Sequence, residues 1–279
     1  MQYPAQLLKA HGLYASKRRG QNYLCQPATA AAIVRLAGVG PHDTVVEIGA
    51  GLGALTLPLA MAAGRVIALE IDRGIFQVLK KLLCACLNVE ARLMDAMDFN
   101  WTQLPTPVKV VGNLPYALSS PLLFILLQNL AAWQSATLML QKELAERLNA
   151  TPGGKAYGRL SVLVQSLCHM EEKMVVGPHN FFPRPTVDSL IFTLTPRQTP
   201  LVPTHEQAWF NQVVKAAFAQ RRKTLLNTLN AGLSISRERL LTSLKHAGLE
   251  PTLRAESLHI EQLAHLARIL RGQAQLSLH

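Results

Sequence analysis

Acidic residues are missing from the start of this chain. None occurs before Asp43, whereas Lys9, Lys17, Arg18, Arg19 and Arg35 all do. Over the whole sequence charge is sparse, at 16% of residues, yet unbalanced: 28 Lys+Arg stand against 17 Asp+Glu, a net charge of +11. An excess of that sign and size favours a polyanionic partner, although a basic but merely solvated surface would give the same composition. Long apolar runs are also missing. The longest, around Leu122–Leu127, is far too short to span a bilayer. Residues 1–20 contain no apolar segment of the secretory-signal type. Cysteine is scarce, and Cys25, Cys84, Cys86 and Cys168 have no spacing that pairs zinc ligands. The expectation is reduced thiols in a cytoplasmic protein, with no membrane span and no metal. Apolar residues, in contrast, are plentiful: they make up 49% of 279 residues, which excludes a disordered chain.

The apolar pattern alternates between two textures. Short β-branched runs, such as "TVVEI", "RVIALEID" and "VKVVGNL", are separated by helical patterns of 10–15 residues. That alternation signals βαβ units and a mainly parallel sheet. After "LIFTLTPR" (190–197) comes the Pro/Thr-rich stretch "QTPLVPT" (198–204), and from His205 onward every pattern is helical, including one long run through "EQAWFNQVVKAAFAQRRKTLLNTL". The expected organisation is an α/β domain over 1–197, a linker over 198–204 and a small all-helical domain over 205–279.

Chemistry-bearing residues gather at the predicted carboxyl ends of the strands. "EIGAGLG" (47–53) joins a strand to a helix, and its glycines at 49, 51 and 53 permit a sharp turn and close approach to a ligand. The spacing is G-x-G-x-G and not the G-x-G-x-x-G of dinucleotide-binding folds; a tight turn alone would also use it. Glu70, about 20 positions on, is placed to accept hydrogen bonds from a ribose diol, or else is an ordinary carboxylate at a strand end. Asp95 follows the third strand and suits either an adenine amine or the N-cap of the next turn. With no phosphate-binding lysine in the glycine loop, the combination points to S-adenosyl-L-methionine. The fourth strand ends in Asn113-Leu114-Pro115-Tyr116. An amide carbonyl, a backbone carbonyl ahead of a proline and a flat phenol suit a planar base with an exocyclic amine. A strand end with a buried asparagine is the plainer alternative.

These segments, in order, resemble the rRNA adenine N6,N6-dimethyltransferase family of the KsgA (RsmA) type. The resemblance runs through "GQNYL" (20–24), where the family usually has Phe before Leu, then "EIGAGLGALT", "ALEID", "DAMDF" and "VVGNLPY", and on through "YGRLSVLVQ", "FFPRPTVDS" and "FAQRRKTLLNTL". It implies a Rossmann-like class I methyltransferase domain with a helical C-terminal domain. It implies that Asn22, Leu24, Gly49, Gly51, Glu70, Asp95 and Asn113 contact the cofactor. Asn113 would also hold the target amine, with Leu114 and Pro115 completing the clamp and Tyr116 and Phe181 sandwiching the adenine. Ala50 and Ala117 depart from the family's usual Pro and Asn, and Arg184 and Thr186 replace its usual Pro and Lys.

The implied reaction is methyl transfer from S-adenosylmethionine to N6 of two adjacent adenosines in the 3′-terminal hairpin loop of small-subunit rRNA, within a pre-ribosomal 30S-type particle. Lys17, Arg18 and Arg19, and the cluster Arg221, Arg222 and Lys223, would meet phosphates; a solvated helix face would look the same. A monomer is expected. The competing readings are a large-subunit rRNA methyltransferase of the antibiotic-resistance type, a small-molecule or protein methyltransferase, and a non-catalytic assembly factor.

Overall fold

The computed structural model describes residues 3–16, 19–104, 107–115 and 118–275, with side chains as far as 272. By contact the chain divides into two compact units, one of residues 1–145 with 170–196 and one of 146–169 with 197–279.

The first unit opens with helix α1 (Pro4–Ala10), the short strand β1 (Tyr23–Leu24) and α2 (Pro27–Leu36). Then strands and helices alternate: β2 (Thr44–Ile48), α3 (Thr56–Ala62), β3 (Arg65–Glu70), α4 (Arg73–Leu82), β4 (Val89–Leu93), β5 (Val108–Asn113), α5 (Ser119–Gln128) and β6 (Trp133–Gln141). After α6 (Lys142–Leu148) and α7 (Arg159–Leu167) come β7 (Cys168–Val176), β8 (Phe181–Phe182) and β9 (Ser189–Pro196). The large sheet has the order β4-β3-β2-β5-β6-β9-β7. Pairings among β2 to β6 are parallel, and β9 joins β6 antiparallel. The central strands are apolar on both faces: Val45, Val46, Val66, Ala68, Val111 and Leu138 are all buried. Strands that carry helices on both sides read as continuous apolar runs for this reason.

The chain order places the site. From β2 the chain winds outward through β3 and β4, then returns to lay β5 on the other side of β2. The sheet therefore changes winding direction between β2 and β5, and a crevice opens at their carboxyl ends. In register Ile48 pairs with Gly112, so Gly49 lies beside Asn113. A side chain at Gly112 would meet the Ile48 carbonyl at 2.9 Å, so only glycine lets the two strands close here.

The second unit contains α8 (Thr204–Ala217), α9 (Leu225–Gly232), α10 (Arg237–His246) and α11 (Ile260–Gln275), and it also takes in α7. Residues 146–169 thus group with the helical unit and not with the α/β unit, unlike the boundary read from the sequence. Two long-range bonds show why. The Tyr157 hydroxyl donates to the Leu258 carbonyl at 3.0 Å, and the Gly153 N–H donates to the Glu256 carbonyl at 2.7 Å. The long helix expected from 206 to 229 is two helices separated by a turn over 218–224, and the break lets α9 pack back on α8. No helix among the described residues is long and apolar enough to cross a membrane.

Candidate active site

The crevice between β2 and β5 is a cavity lined by the glycine loop, the segment 19–24 and residues 113–115, with Glu47 and Glu70 among its walls. Gly49, Gly51 and Gly53 have φ of +75°, +56° and +80°, a region where other residues are strained. A Cβ on Gly51 would lie 3.3 Å from the Tyr23 ring. Gly51→Ala is therefore expected to cost about 1–2 kcal/mol from the left-handed backbone alone, read as a lowered Tm.

Glu70 is buried and its two oxygens are spoken for on the protein side. Oε2 accepts the Gly51 N–H at 2.8 Å and Oε1 the Asp72 N–H at 2.7 Å. The carboxyl therefore ties the end of β3 to the glycine loop and stiffens both. Burial holds it above the usual carboxylate range, against those two donors. Asp72 caps α4, accepting from Gly74 at 2.9 Å and Ile75 at 3.2 Å. Its other oxygen pairs with Arg19, which fastens the N-terminal segment across the cavity rim.

Asn113 ends β5. Its Nδ2 donates to the Asn22 carbonyl at 3.0 Å, which fixes the amide and leaves Oδ1 as the acceptor. Leu114 is buried and its N–H donates to Met139. The Pro115 carbonyl is taken by the Leu118 N–H at 3.0 Å and the Ser119 hydroxyl at 2.9 Å. Asn22, Leu24, Gly49, Gly51, Glu70, Asn113, Leu114 and Pro115 are thus brought together at one cavity.

Other predicted residues lie elsewhere. The Asp95 carboxylate caps a turn, accepting from Met97 at 2.9 Å, and is not among the cavity's lining residues. Phe181 was expected to face an adenine, but its ring is buried in the core, 1% exposed, with Leu24, Val176 and Ile191. The reason is the antiparallel β1–β8 ribbon, which pairs Leu24 with Phe181 and Tyr23 with Phe182. Alternation along the strand then sends Phe181 to one cluster and Phe182 to another, beside Tyr3. Arg221 is held by Glu256 at 2.9 Å and by the Lys155 carbonyl, so it braces the helical unit. Arg222 and Lys223 are exposed on the same turn. Tyr116, Lys17 and Arg18 lie outside the described residues.

Two groups in the cavity wall were not singled out from the sequence. Glu47 is 1% exposed at the next-to-last position of β2, and its Oε2 has no hydrogen-bond partner; the Tyr23 hydroxyl is likewise buried and unpartnered. A signal existed for each. Glu47 is an acid inside "VVEI", and Tyr23 is a phenol where the family that the sequence resembles usually has phenylalanine. Burial, and to a lesser degree the nearby charge of Glu70, pushes the Glu47 carboxyl up to about 8. The Thr56 hydroxyl eases that shift without reaching hydrogen-bond geometry.

Comparison with known proteins gives one consistent result. The family model described as ribosomal RNA adenine dimethylase matches residues 13–271. A protein of Moorella thermoacetica, "Ribosomal RNA small subunit methyltransferase A", is 42% identical over 276 residues, covering 95% of this chain and 96% of the relative. One of the same name from Magnetococcus marinus is 42% identical over 265 residues, covering 94% of each. Among solved structures, a dimethyladenosine transferase from Plasmodium falciparum matches with a TM-score of 0.76 at 28% identity, over 90% of this chain and 98% of that one. The 23S rRNA methyltransferase ErmE matches with a TM-score of 0.67 at 27% identity, over 90% of this chain and all of that one.

Proposed function

The chain belongs to the ribosomal RNA adenine dimethylase family, and from that premise we propose that it transfers methyl groups from S-adenosyl-L-methionine to N6 of two adjacent adenosines in the 3′-terminal hairpin loop of small-subunit rRNA. The observation that carries the reading is the Asn113 amide, pinned through Nδ2 and opening with Oδ1 onto the glycine-loop cavity. The near full-length matches at 42% identity are to enzymes named for the small subunit, which favours that substrate over the large-subunit one.

The residues present fit the cofactor. A glycine cradle, an acid at the end of β3 and unpartnered polar atoms in the wall suit a nucleoside with a charged amino-acid tail. Asn22, Leu24, Gly49, Gly51 and Glu70 would hold it, with Asp95 at its adenine through the second carboxylate oxygen. When bound, the cofactor supplies a methyl group activated by the sulfonium charge. The chain's own task is to present the acceptor. The adenine leaves its stack and lies against Tyr116. Asn113 Oδ1 and the Leu114 carbonyl accept from its amine, drawing the nitrogen toward tetrahedral geometry so that its lone pair turns out of the ring. No strong base is required, because the nitrogen's proton becomes acidic once the new bond forms. Phe181, buried as it stands, joins the base only if the ribbon shifts.

The protein acts in the cytoplasm as a monomer on a pre-ribosomal particle, with Arg222 and Lys223 touching phosphates. Replacing both by alanine should weaken binding at low salt and reduce the slope of log affinity against log salt by about 1 per residue, measured by titration at several salt concentrations. An unchanged slope would place the contacts elsewhere. The reaction is tested with labelled S-adenosylmethionine and small subunits lacking this modification, with large subunits and free rRNA in parallel. Dimethyladenosine in small subunits alone is the expected outcome. Label in large subunits would move the enzyme to the resistance branch, and cofactor binding without transfer would leave an assembly factor.

A further inference from the structure

Tyr14 is 89% exposed. A single exposed aromatic is ordinary by itself; what sets this one apart is how it is held. Helix α1 is stopped by Gly12 at φ +64°, and the Leu13 N–H returns to the Leu8 carbonyl at 2.9 Å. Such a left-handed stop turns the chain sharply and fixes the residue after the glycine. The Leu13 side chain then packs against the cluster of Leu7, Leu8, Ile75 and Val78, and Ala15 joins the same cluster. A Cβ at Gly74 would lie 2.8 Å from Leu13, so glycine there makes room for it. Both neighbours of Tyr14 are thus packed inward, and the ring between them stands in solvent.

The segment that follows is closed on itself. The Ser16 N–H donates to Gln21 Oε1 at 2.8 Å, and the Ser16 carbonyl accepts the Arg19 and Gln21 N–H groups, each at 3.2 Å. Arg19 and Gln21 line the glycine-loop cavity, and Arg19 is tied to Asp72. Tyr14 stands two residues from Ser16, and two residues span at most about 7 Å. The ring is therefore a flat face on a fixed mount, a short reach from the cavity.

The stretch around it carries charge of one sign. No acidic residue precedes Asp43; Lys9 is exposed, and Lys17 and Arg18 follow in sequence. An aromatic face in a stretch of cations suits an unpaired nucleotide, whose base stacks while phosphates are neutralised nearby. A protein partner would need a wider apolar patch than one ring.

We propose that Tyr14 is a base-stacking residue for the RNA, holding an unpaired nucleotide next to the target adenosine while that adenosine lies in the cavity. The inference rests on the rRNA reading above. When the target base leaves its stack, the base beside it loses a stacked face, and Tyr14 replaces that face. The role is positioning: the strand is fixed in register so that the extruded base enters the cavity at one height. Every base has a π-face, so the contact adds affinity and register and little sequence preference.

The experiment measures binding and transfer on small subunits lacking the modification, with Tyr14→Ala, Tyr14→Phe and Tyr14→Trp. Tyr14→Ala should raise KM about tenfold, with kcat nearly unchanged. Tyr14→Phe and Tyr14→Trp keep the face and should behave as the wild type does. Against salt, log affinity for Tyr14→Ala should run parallel to the wild-type line, because no phosphate contact is lost. Tm and affinity for S-adenosylhomocysteine should stay the same in all three, since the side chain is exposed and is not among the cavity's lining residues. Ultraviolet irradiation of the wild-type complex should join a nucleotide to the tryptic peptide 10–17, read by mass spectrometry. Wild-type affinity in Tyr14→Ala would overturn the inference. Equal weakening in all three variants would overturn it too, by assigning the effect to the hydroxyl. Weakening in Tyr14→Ala with no nucleotide on that peptide would give the ring to a ribosomal protein instead. A wild type that neither binds nor methylates small subunits would sink the rRNA reading, and this inference with it.

Discussion

Asn113→Ala should reduce methyl transfer by about 10³-fold or more, while the protein still folds. The expectation follows from what the amide does on each side. Its Nδ2 bond to the Asn22 carbonyl ties the end of β5 to the N-terminal segment, and that bond is one among several, since Arg19–Asp72 and the β1–β8 ribbon also hold the segment. Losing it costs about 1 kcal/mol of stability. Oδ1 has no substitute. Without it, the adenine amine keeps its lone pair in the ring, and the nitrogen remains a poor nucleophile however well it is positioned. The loss should therefore fall on kcat, with the Kd for S-adenosylhomocysteine changed far less. Single-turnover rates on small subunits, set beside calorimetric binding, separate the two. An Asn113→Ala enzyme with near-normal kcat would remove the amide from the chemistry.

Glu47→Gln should make the ligand-free protein more stable at pH 8 by about 3–5 kcal/mol relative to its effect at pH 5. In the unfolded chain this carboxyl ionises near 4.5, and in the folded one near 8. Between those values the native state holds a proton that the unfolded state has lost. Stability is then full below about 4.5 and declines as pH rises through the window, by up to about 1.4 kcal/mol per unit. Glutamine is neutral throughout and removes that decline. A constant offset from its amide cancels when the two pH values are compared, and Glu70, raised in the same direction, contributes to both proteins. Urea unfolding at pH 5 and pH 8 measures it. Parallel pH profiles for the two proteins would mean that Glu47 is already charged in the free fold.

The sequence made the sheet readable because burial on both faces writes Val45-Val46 and Val110-Val111 as unbroken apolar runs, and because turn glycines at 49, 51 and 53 punctuate them. The cavity residues from Asn22 to Pro115 were readable for a related reason: they sit at strand ends, where polar side chains interrupt apolar runs. What escaped depends on contacts distant in sequence. Nothing in "YGRLSVLVQ" says that Tyr157 will bond to Leu258, so the segment was assigned to its neighbours along the chain. Phe181 was read from its motif, yet its direction is decided by pairing with Leu24, far away in the sequence. Arg221 looked like part of an RNA-binding run until Glu256 closed on it. Glu47 was overlooked for the opposite reason. The glycines beside it explained the motif so fully that an acid in an apolar strand passed without question.

The divided second unit has a consequence in time. Residues 146–169 are synthesised well before α8 to α11, the helices they are grouped with. At roughly 5–20 residues per second, several seconds separate the appearance of α7 from that of its last partner. Over that interval the Tyr157 hydroxyl and the Gly153 N–H lack the Leu258 and Glu256 carbonyls that they bond in the finished protein. Cutting the gene at the Pro/Thr-rich stretch would make that interval endless. A fragment ending there should collect in aggregates or on chaperones, whereas one that keeps both pieces of the unit should not.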